Sequence, residues 1–183
     1  RSYVDEDGIM SDEGVAALKE LLLNYKQILA DFGVEQVHAA ATAAVRQAQN
    51  REAIVETMLR ETGIELQILS EEQEAYFGFV AVAYSMATSS AITIDMGGGS
   101  TEITWFENKV LQKTHSFPFG TVSLKQRFIA GDKMTEDERD ALIAYVKEQF
   151  ESLPWIVDRH LPIIGIGGSA RNVAQIHQQR IKY

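Results

Sequence analysis

Residues 90–108 read Ser-Ala-Ile-Thr-Ile-Asp-Met-Gly-Gly-Gly-Ser-Thr-Glu-Ile-Thr-Trp-Phe-Glu-Asn, and this stretch decides the fold. An alternating apolar run ends on Asp95, three glycines follow, and a second alternating run begins after Ser100. Two strands joined by so short a link pair as a tight antiparallel hairpin. Gly97, Gly98 and Gly99 admit positive φ and put no Cβ between the backbone N–H groups and an approaching anion. Asp95 stands at the end of the first strand, where a carboxylate can hold a divalent cation or orient a water. Ser100, Thr101 and Glu102 add hydroxyls and a carboxylate on the far side. The stretch reads as a hairpin for phosphate and metal.

Working outward from the hairpin, Asn108 and Lys109 turn the chain into a third strand over 110–117, and a short helix starts at Thr121 or Val122 and runs to Ile129. Thr135 and Glu138 form a capping box for a long helix carrying Leu142, Tyr145, Val146, Phe150 and Leu153. Pro154 and Pro162 bracket a connection, 163–166 is a strand, and Gly167, Gly168 and Ser169 lead into a last helix. Upstream, Ser11 caps a helix whose apolar residues Val15, Leu18, Leu22, Tyr25, Leu29 and Phe32 step by three and four, with Gly33 as its stop. A buried strand over 34–41, a helix opening at Asn50 or Arg51 and ending at Gly63, a strand over 64–69 and a helix over 71–86 follow. Ser70 and Gln73 are the capping box of that last helix. The first ten residues read as a polar leftover with a turn at Gly8.

The order from Ala91 is β-hairpin-β-α-α-β-α, and before it α-β-α-β-α. The first half thus looks like the second without its opening three strands, a hint of internal duplication. The expectation is an α/β protein of two related domains, 1–89 and 90–183, divided at Thr88-Ser89-Ser90, with the chain beginning inside the first domain and ending inside the second.

Composition narrows the class. At 183 residues, 45% hydrophobic and 23% charged, the chain suits one good core or two small ones. No apolar run reaches the ~18–20 residues of a membrane helix, and the first residues do not read as a signal peptide. The absence of cysteine excludes disulfides and thiolate metal sites and suits a cytoplasmic location. A net charge of −9 argues against a nucleic-acid coat. A phosphate-rich ligand would need local positive charge or a metal.

At Ile94–Glu102 the sequence resembles the exopolyphosphatase / guanosine pentaphosphate phosphohydrolase (Ppx/GppA) family, whose members pair two RNase H-like domains of the actin-like ATPase superfamily. The resemblance extends through the stretch 41–50, Ala-Thr-Ala-Ala-Val-Arg-Gln-Ala-Gln-Asn, and 68–75, Ile-Leu-Ser-Glu-Glu-Gln-Glu-Ala. It continues at Phe119-Gly120-Thr121-Val122 and at 165–172, Gly-Ile-Gly-Gly-Ser-Ala-Arg-Asn. These blocks stand in the family's order over nearly the whole chain. The family's first phosphate hairpin has no counterpart here, since its position falls ahead of Arg1, and the portion completing the second domain is also missing. As given, the chain is expected to be inactive alone.

The resemblance implies metal-dependent hydrolysis of terminal phosphoanhydride bonds in polyphosphate or guanosine pentaphosphate. It puts the catalytic glutamate at Glu74, in the first turn of a capped helix, where the plainer role is an acid complementing the helix dipole. Asp95 is the expected Mg²⁺ ligand and Glu102 a second metal carboxylate, the plainer roles being a turn aspartate and an outward strand residue. Gly97, Gly98, Gly99 and Ser100 are expected to donate to phosphate oxygens. Arg46 is the expected cation at the phosphates, or a buried partner of Glu71, Glu72 or Glu74. Gly167, Gly168 and Ser169 precede a helix N-terminus and suit a distal phosphate, or packing alone. No nucleic-acid or membrane partner is expected, and a homodimer is the assembly considered for the full-length protein. A non-catalytic alarmone or polyphosphate sensor and a phosphotransferase remain as alternatives. His38, His115, His160 and His177 lack metal-ligand spacing, Trp105 and Trp155 read as core or rim, and Arg180 with Lys182 as a basic edge or a solvated face.

Overall fold

The computed structural model describes residues 3–5, 7–157 and 159–181. The chain divides into two compact units, Arg1–Ser70 and Glu71–Tyr183.

In the first unit, helix α1 (Asp12–Asp31) begins where the Ser11 hydroxyl accepts from the Gly14 N–H at 3.2 Å, and Gly33 at φ 68° follows its end. Strand β1 (Ala39–Ala41), the short helix α2 (Ala43–Arg46), helix α3 (Arg51–Thr62) and strand β2 (Leu66–Ile68) follow. Helix α3 stops at Gly63, left-handed at φ 70°. The two strands pair in parallel, Ala39 opposite Leu66 and Ala41 opposite Ile68. Both are shorter than the sequence suggests, because a strand extends only as far as it has a partner; Val34 and Val37 stay exposed ahead of β1. The core joins Leu22 of α1 to Ile54 and Met58 of α3, with Val45, Ala48 and Leu66. The opening residues belong to it rather than being a polar leftover. Val4 bridges Met10, Gly8 turns at φ 76°, and Met10 is buried. Asn50 clamps Met10, accepting from its N–H at 2.9 Å and donating to its carbonyl at 3.0 Å.

The second unit holds helix α4 (Glu71–Ser85), strands β3 (Ala91–Met96), β4 (Thr101–Glu107) and β5 (Val110–Phe117), helices α5 (Thr121–Phe128) and α6 (Glu136–Glu151), strand β6 (Ile163–Ile166) and helix α7 (Gly167–Ile181). The sheet runs β5-β4-β3-β6, with β6 parallel to β3 and the other pairs antiparallel. Asn108 and Lys109 both take left-handed φ, 51° and 59°, as a two-residue type I′ hairpin requires. Period-two alternation separates the faces. Ile92, Ile103, Trp105 and Phe117 meet Leu124 of α5 and Tyr145, Val146 and Phe150 of α6. Ala91 and Phe106 on the opposite face meet Phe79, Val82 and Ala83 of α4. Burying Phe106 and Phe117, 0% and 2% exposed, contributes about 1.5–3 kcal/mol each. The capping box at α6 forms, Thr135 N–H donating to Glu138 at 2.8 Å and Glu138 N–H to the Thr135 hydroxyl at 3.3 Å.

The division by contacts falls between Ser70 and Glu71, ahead of α4, whereas the composition break suggests 89/90. Packing explains the difference, since the apolar face of α4 lies on the sheet of the second unit. The architecture is mixed α/β.

Candidate functional site

On the α4 face of the second sheet the central strands carry polar residues as they approach the hairpin loop. Thr93 and Thr104, register partners, share a hydrogen bond through their hydroxyls. One step further along, Asp95 stands directly opposite Glu102. Glu102 is 4% exposed, so it points inward and is no outward strand residue. Its neighbour across β5 is Ser116, whose hydroxyl donates to Glu102 Oε1 at 3.0 Å.

Burial pushes the Asp95 carboxyl above its usual range, and the negative charge of Glu74 adds to the rise. Glu102 is also pushed up, first by burial; hydrogen bonds from Ser100 and Ser116 oppose the rise, while Glu74 and Asp95 add to it. Glu74, half-buried in the first turn of α4, thus lies within electrostatic reach of both. Three carboxylates share one end of the sheet, and hard oxygen donors under mutual repulsion suit a divalent cation. Among the described residues no group of three or more acidic or histidine side chains is placed to hold a metal ion by itself.

The hairpin loop departs from expectation in two respects. Neither Gly97 nor Gly98 takes a left-handed φ, and the Gly97 N–H donates to the Ser100 carbonyl at 3.0 Å, so it is already engaged within the loop. The N–H groups of Gly98, Gly99 and Ser100 make no hydrogen bond among the described residues. A Cβ on Gly98 would meet Val122 Cγ2 at 3.4 Å, an ordinary contact, so neither conformation nor space demands glycine there.

The second glycine turn closes on the same place. Ile166 ends β6 beside Asp95, and Gly167 follows at φ 83°, where a Cβ would lie 2.9 Å from Asp95 Oδ1. Ser169 donates its hydroxyl to the Met96 carbonyl at 3.1 Å, which ties the turn to the end of β3. Gly168 is exposed. The structure therefore gathers Glu74, Asp95, Glu102, Ser100, Met96 and Gly167 in one unit. Arg46 belongs to the first unit, where its Nη1 donates to the Leu69 carbonyl at 2.9 Å and joins the end of α2 to the chain beyond β2.

Trp105 stacks on Trp155 at 6.4 Å, with the Arg159 guanidinium 3.4 Å over the Trp105 ring. His115 meets Phe117 edge-on at 4.4 Å. His38, His160 and His177 join no group of metal-binding side chains among the described residues. Arg180 lies on the exposed face of α7, and Lys182 lies outside the described residues. Sequence reasoning missed Ser116: counting the register from the Asn108-Lys109 turn puts His115 opposite Glu102, and the bulge between Trp105 and Phe106 brings Ser116 there instead. It also missed Arg171, whose Nη2 lies 3.9 Å from where a Gly168 Cβ would be.

A family model described as the Ppx/GppA phosphatase family matches residues 1–182. The chain is 30% identical over 130 residues to exopolyphosphatase 1 of Mycobacterium tuberculosis, covering 70% of this chain and 38% of that protein. It is 25% identical over 181 residues to a guanosine-5'-triphosphate,3'-diphosphate pyrophosphatase of Pseudoalteromonas atlantica, covering 94% of this chain and 35% of that protein. The crystal structure of an exopolyphosphatase from Cytophaga hutchinsonii superposes with a TM-score of 0.83 at 26% identity, covering 96% of this chain and 57% of that one. The chain thus spans between about a third and three fifths of the length of these relatives.

Proposed function

We propose, on the premise that the chain belongs to the Ppx/GppA phosphatase family, that the full-length protein is a phosphohydrolase releasing terminal phosphate from inorganic polyphosphate, guanosine pentaphosphate or both. The observation that carries this reading is the facing pair Asp95 and Glu102 beside the glycine hairpin, both with raised pKa and both sensing Glu74.

In this reading Glu74 is the general base. It accepts a proton from the water whose oxygen attacks the terminal phosphorus, while the bridging P–O bond breaks and the shortened chain leaves. Asp95 and Glu102 would hold Mg²⁺, which when bound supplies positive charge at the phosphate oxygens. The N–H groups of Gly98, Gly99 and Ser100 bind the non-bridging oxygens, and Gly167 and Gly168 bring backbone beside Asp95. Ser169 acts through Met96. Arg46 is the cation proposed for the phosphates. Neutralising charge in this way is most of the task in phosphoryl transfer.

The finer architecture belongs to the same proposal: two RNase H-like domains of the actin-like type. So do a cytoplasmic location, small phosphate-rich substrates rather than nucleic acid or membrane as partners, and a homodimeric full-length protein. The test is Glu74→Gln in the full-length protein. Phosphate release from polyphosphate should fall by about a hundredfold or more with polyphosphate binding retained. An unchanged rate would remove Glu74 as the base, and binding without release by the wild type would make the protein a sensor.

A further inference from the structure

The carbonyls of Gly97 and Gly98 both point at the start of α5. The Gly97 oxygen accepts from the Thr121 N–H at 2.9 Å and from the Thr121 hydroxyl at 3.2 Å. The Gly98 oxygen accepts from the Val122 N–H at 2.9 Å and the Ser123 N–H at 3.2 Å. A trans peptide is planar, and its N–H points opposite to its C=O. The two peptides joining Gly97 to Gly98 and Gly98 to Gly99 therefore turn the N–H groups of Gly98 and Gly99 away from α5, to one side. A two-residue hairpin loop closed in the usual way would give the Gly97 carbonyl to the Ser100 N–H. Thr121 takes that carbonyl instead and leaves the Ser100 N–H without a partner among the described residues.

Gly120 makes this approach sterically possible. A Cβ there would lie 2.4 Å from the Gly97 oxygen and 2.6 Å from the Gly98 carbonyl carbon, backbone atoms that cannot swing aside. The Gly120 N–H donates to the Ser123 hydroxyl at 2.8 Å, so the segment is held from within as well. The N-terminus of α5, which would otherwise attract an anion, is filled by the two loop carbonyls. Its dipole reaches any ligand through these hydrogen-bonded peptides, which it polarises.

We propose that residues 120–123 are a positioning device for the phosphate loop: by capturing the Gly97 and Gly98 carbonyls they turn the N–H groups of Gly98 and Gly99 toward the substrate phosphate, while the Gly97 N–H stays on the Ser100 carbonyl. The inference rests on the phosphohydrolase reading and says which residues make its loop competent. Thr121 and Gly120 touch no substrate; they act through the loop peptides.

The experiment uses the full-length protein labelled with ¹⁵N-glycine and inorganic tripolyphosphate as probe, alongside phosphate release from polyphosphate. Tripolyphosphate should shift the Gly98 and Gly99 amide signals and leave Gly97 in place. Thr121→Val, which keeps the size and loses one hydrogen bond, should lower kcat about fivefold with KM little changed, and should shrink the Gly98 and Gly99 shifts at saturation. Thr121→Ser should restore both. A Thr121→Val protein that melts earlier but keeps its kcat and its amide shifts would show a merely structural role and overturn the inference, leaving the phosphohydrolase reading intact. A dominant shift at Gly97 would do the same. A wild type that neither binds tripolyphosphate nor releases phosphate would overturn both.

Discussion

Two glycine turns meet the carboxylates at the same end of the sheet, and they are built on different principles. The hairpin turn keeps Gly97 and Gly98 at φ values open to any residue, and its orientation is imposed from outside by the first turn of α5. The turn from β6 into α7 carries its own geometry, because Gly167 sits at φ 83° and leaves room for the Asp95 carboxylate. In the first case glycine grants close approach only from outside the turn, at Gly120. In the second it grants a backbone conformation as well. Similar composition therefore conceals two requirements, and substitutions separate them.

Gly120→Ala should have the largest effect. Its methyl would press on backbone at 2.4 Å, and overpacking of this kind costs about 1–3 kcal/mol; differential scanning calorimetry and phosphate release by the full-length protein should both show a loss. Gly167→Ala should come next. A left-handed φ costs a residue with Cβ about 1–2 kcal/mol, and the methyl would lie 2.9 Å from Asp95 Oδ1. The concentration of Mg²⁺ needed for half-maximal rate should therefore rise together with the loss of stability. Unchanged Mg²⁺ dependence would detach this turn from the metal.

Asp95, which lies beside both turns, should respond in the opposite sense. Burial raises its pKa and that of Glu102 above the usual carboxylate range. Each charged form is disfavoured by the fold, so the penalty is fully present above the folded pKa and disappears as pH falls through it toward the unfolded value. Within that window the folded state binds more protons than the unfolded one, and stability falls as pH rises. Without divalent cation, Asp95→Asn should be more stable than wild type at neutral pH, by no more than about 1 kcal/mol because solvent screens the half-exposed carboxylate, while losing activity, and the difference should narrow on acidification. Chemical denaturation at several pH values measures it. Gly98→Ala should do least, within about 0.5 kcal/mol, because its nearest obstacle is a Val122 methyl at 3.4 Å. If it destabilised as much as Gly120→Ala, the distinction between an imposed and a self-made turn would fail.

Local chemistry was legible in the sequence. The Asn108-Lys109 turn, the Thr135–Glu138 capping box and the stop at Gly63 depend on neighbours a few residues away, and all three form. What depends on distant partners was not legible. The strands over 34–41 and 64–69 contract to three residues each, because pairing sets their length. The polar run at Thr88-Ser89-Ser90 suggests a boundary, but the packing of Phe79 and Val82 on Phe106 draws α4 to the other side of it. In the site, the pairing of Asp95 with Glu102 follows from counting register across the hairpin. The inward face of Glu102 does not, since an alternating strand reads the same whichever side the helix covers. The engagement of the Gly97 N–H and the capture of its carbonyl by Thr121 are invisible without the fold.

The clasp between the hairpin and α5 also bears on the order in which the unit assembles. Its bonds join residues near in sequence, Gly97 to Thr121 at a separation of 24, within one run of hairpin, strand and helix. The bond from Ser169 to Met96 spans 73 residues and must wait for a much larger loop to close, which slows folding. We expect the hairpin loop to take shape early and the wall beside Asp95 to arrive late. Pulse-labelled hydrogen exchange should then protect the Thr121 and Val122 amides before those along β6.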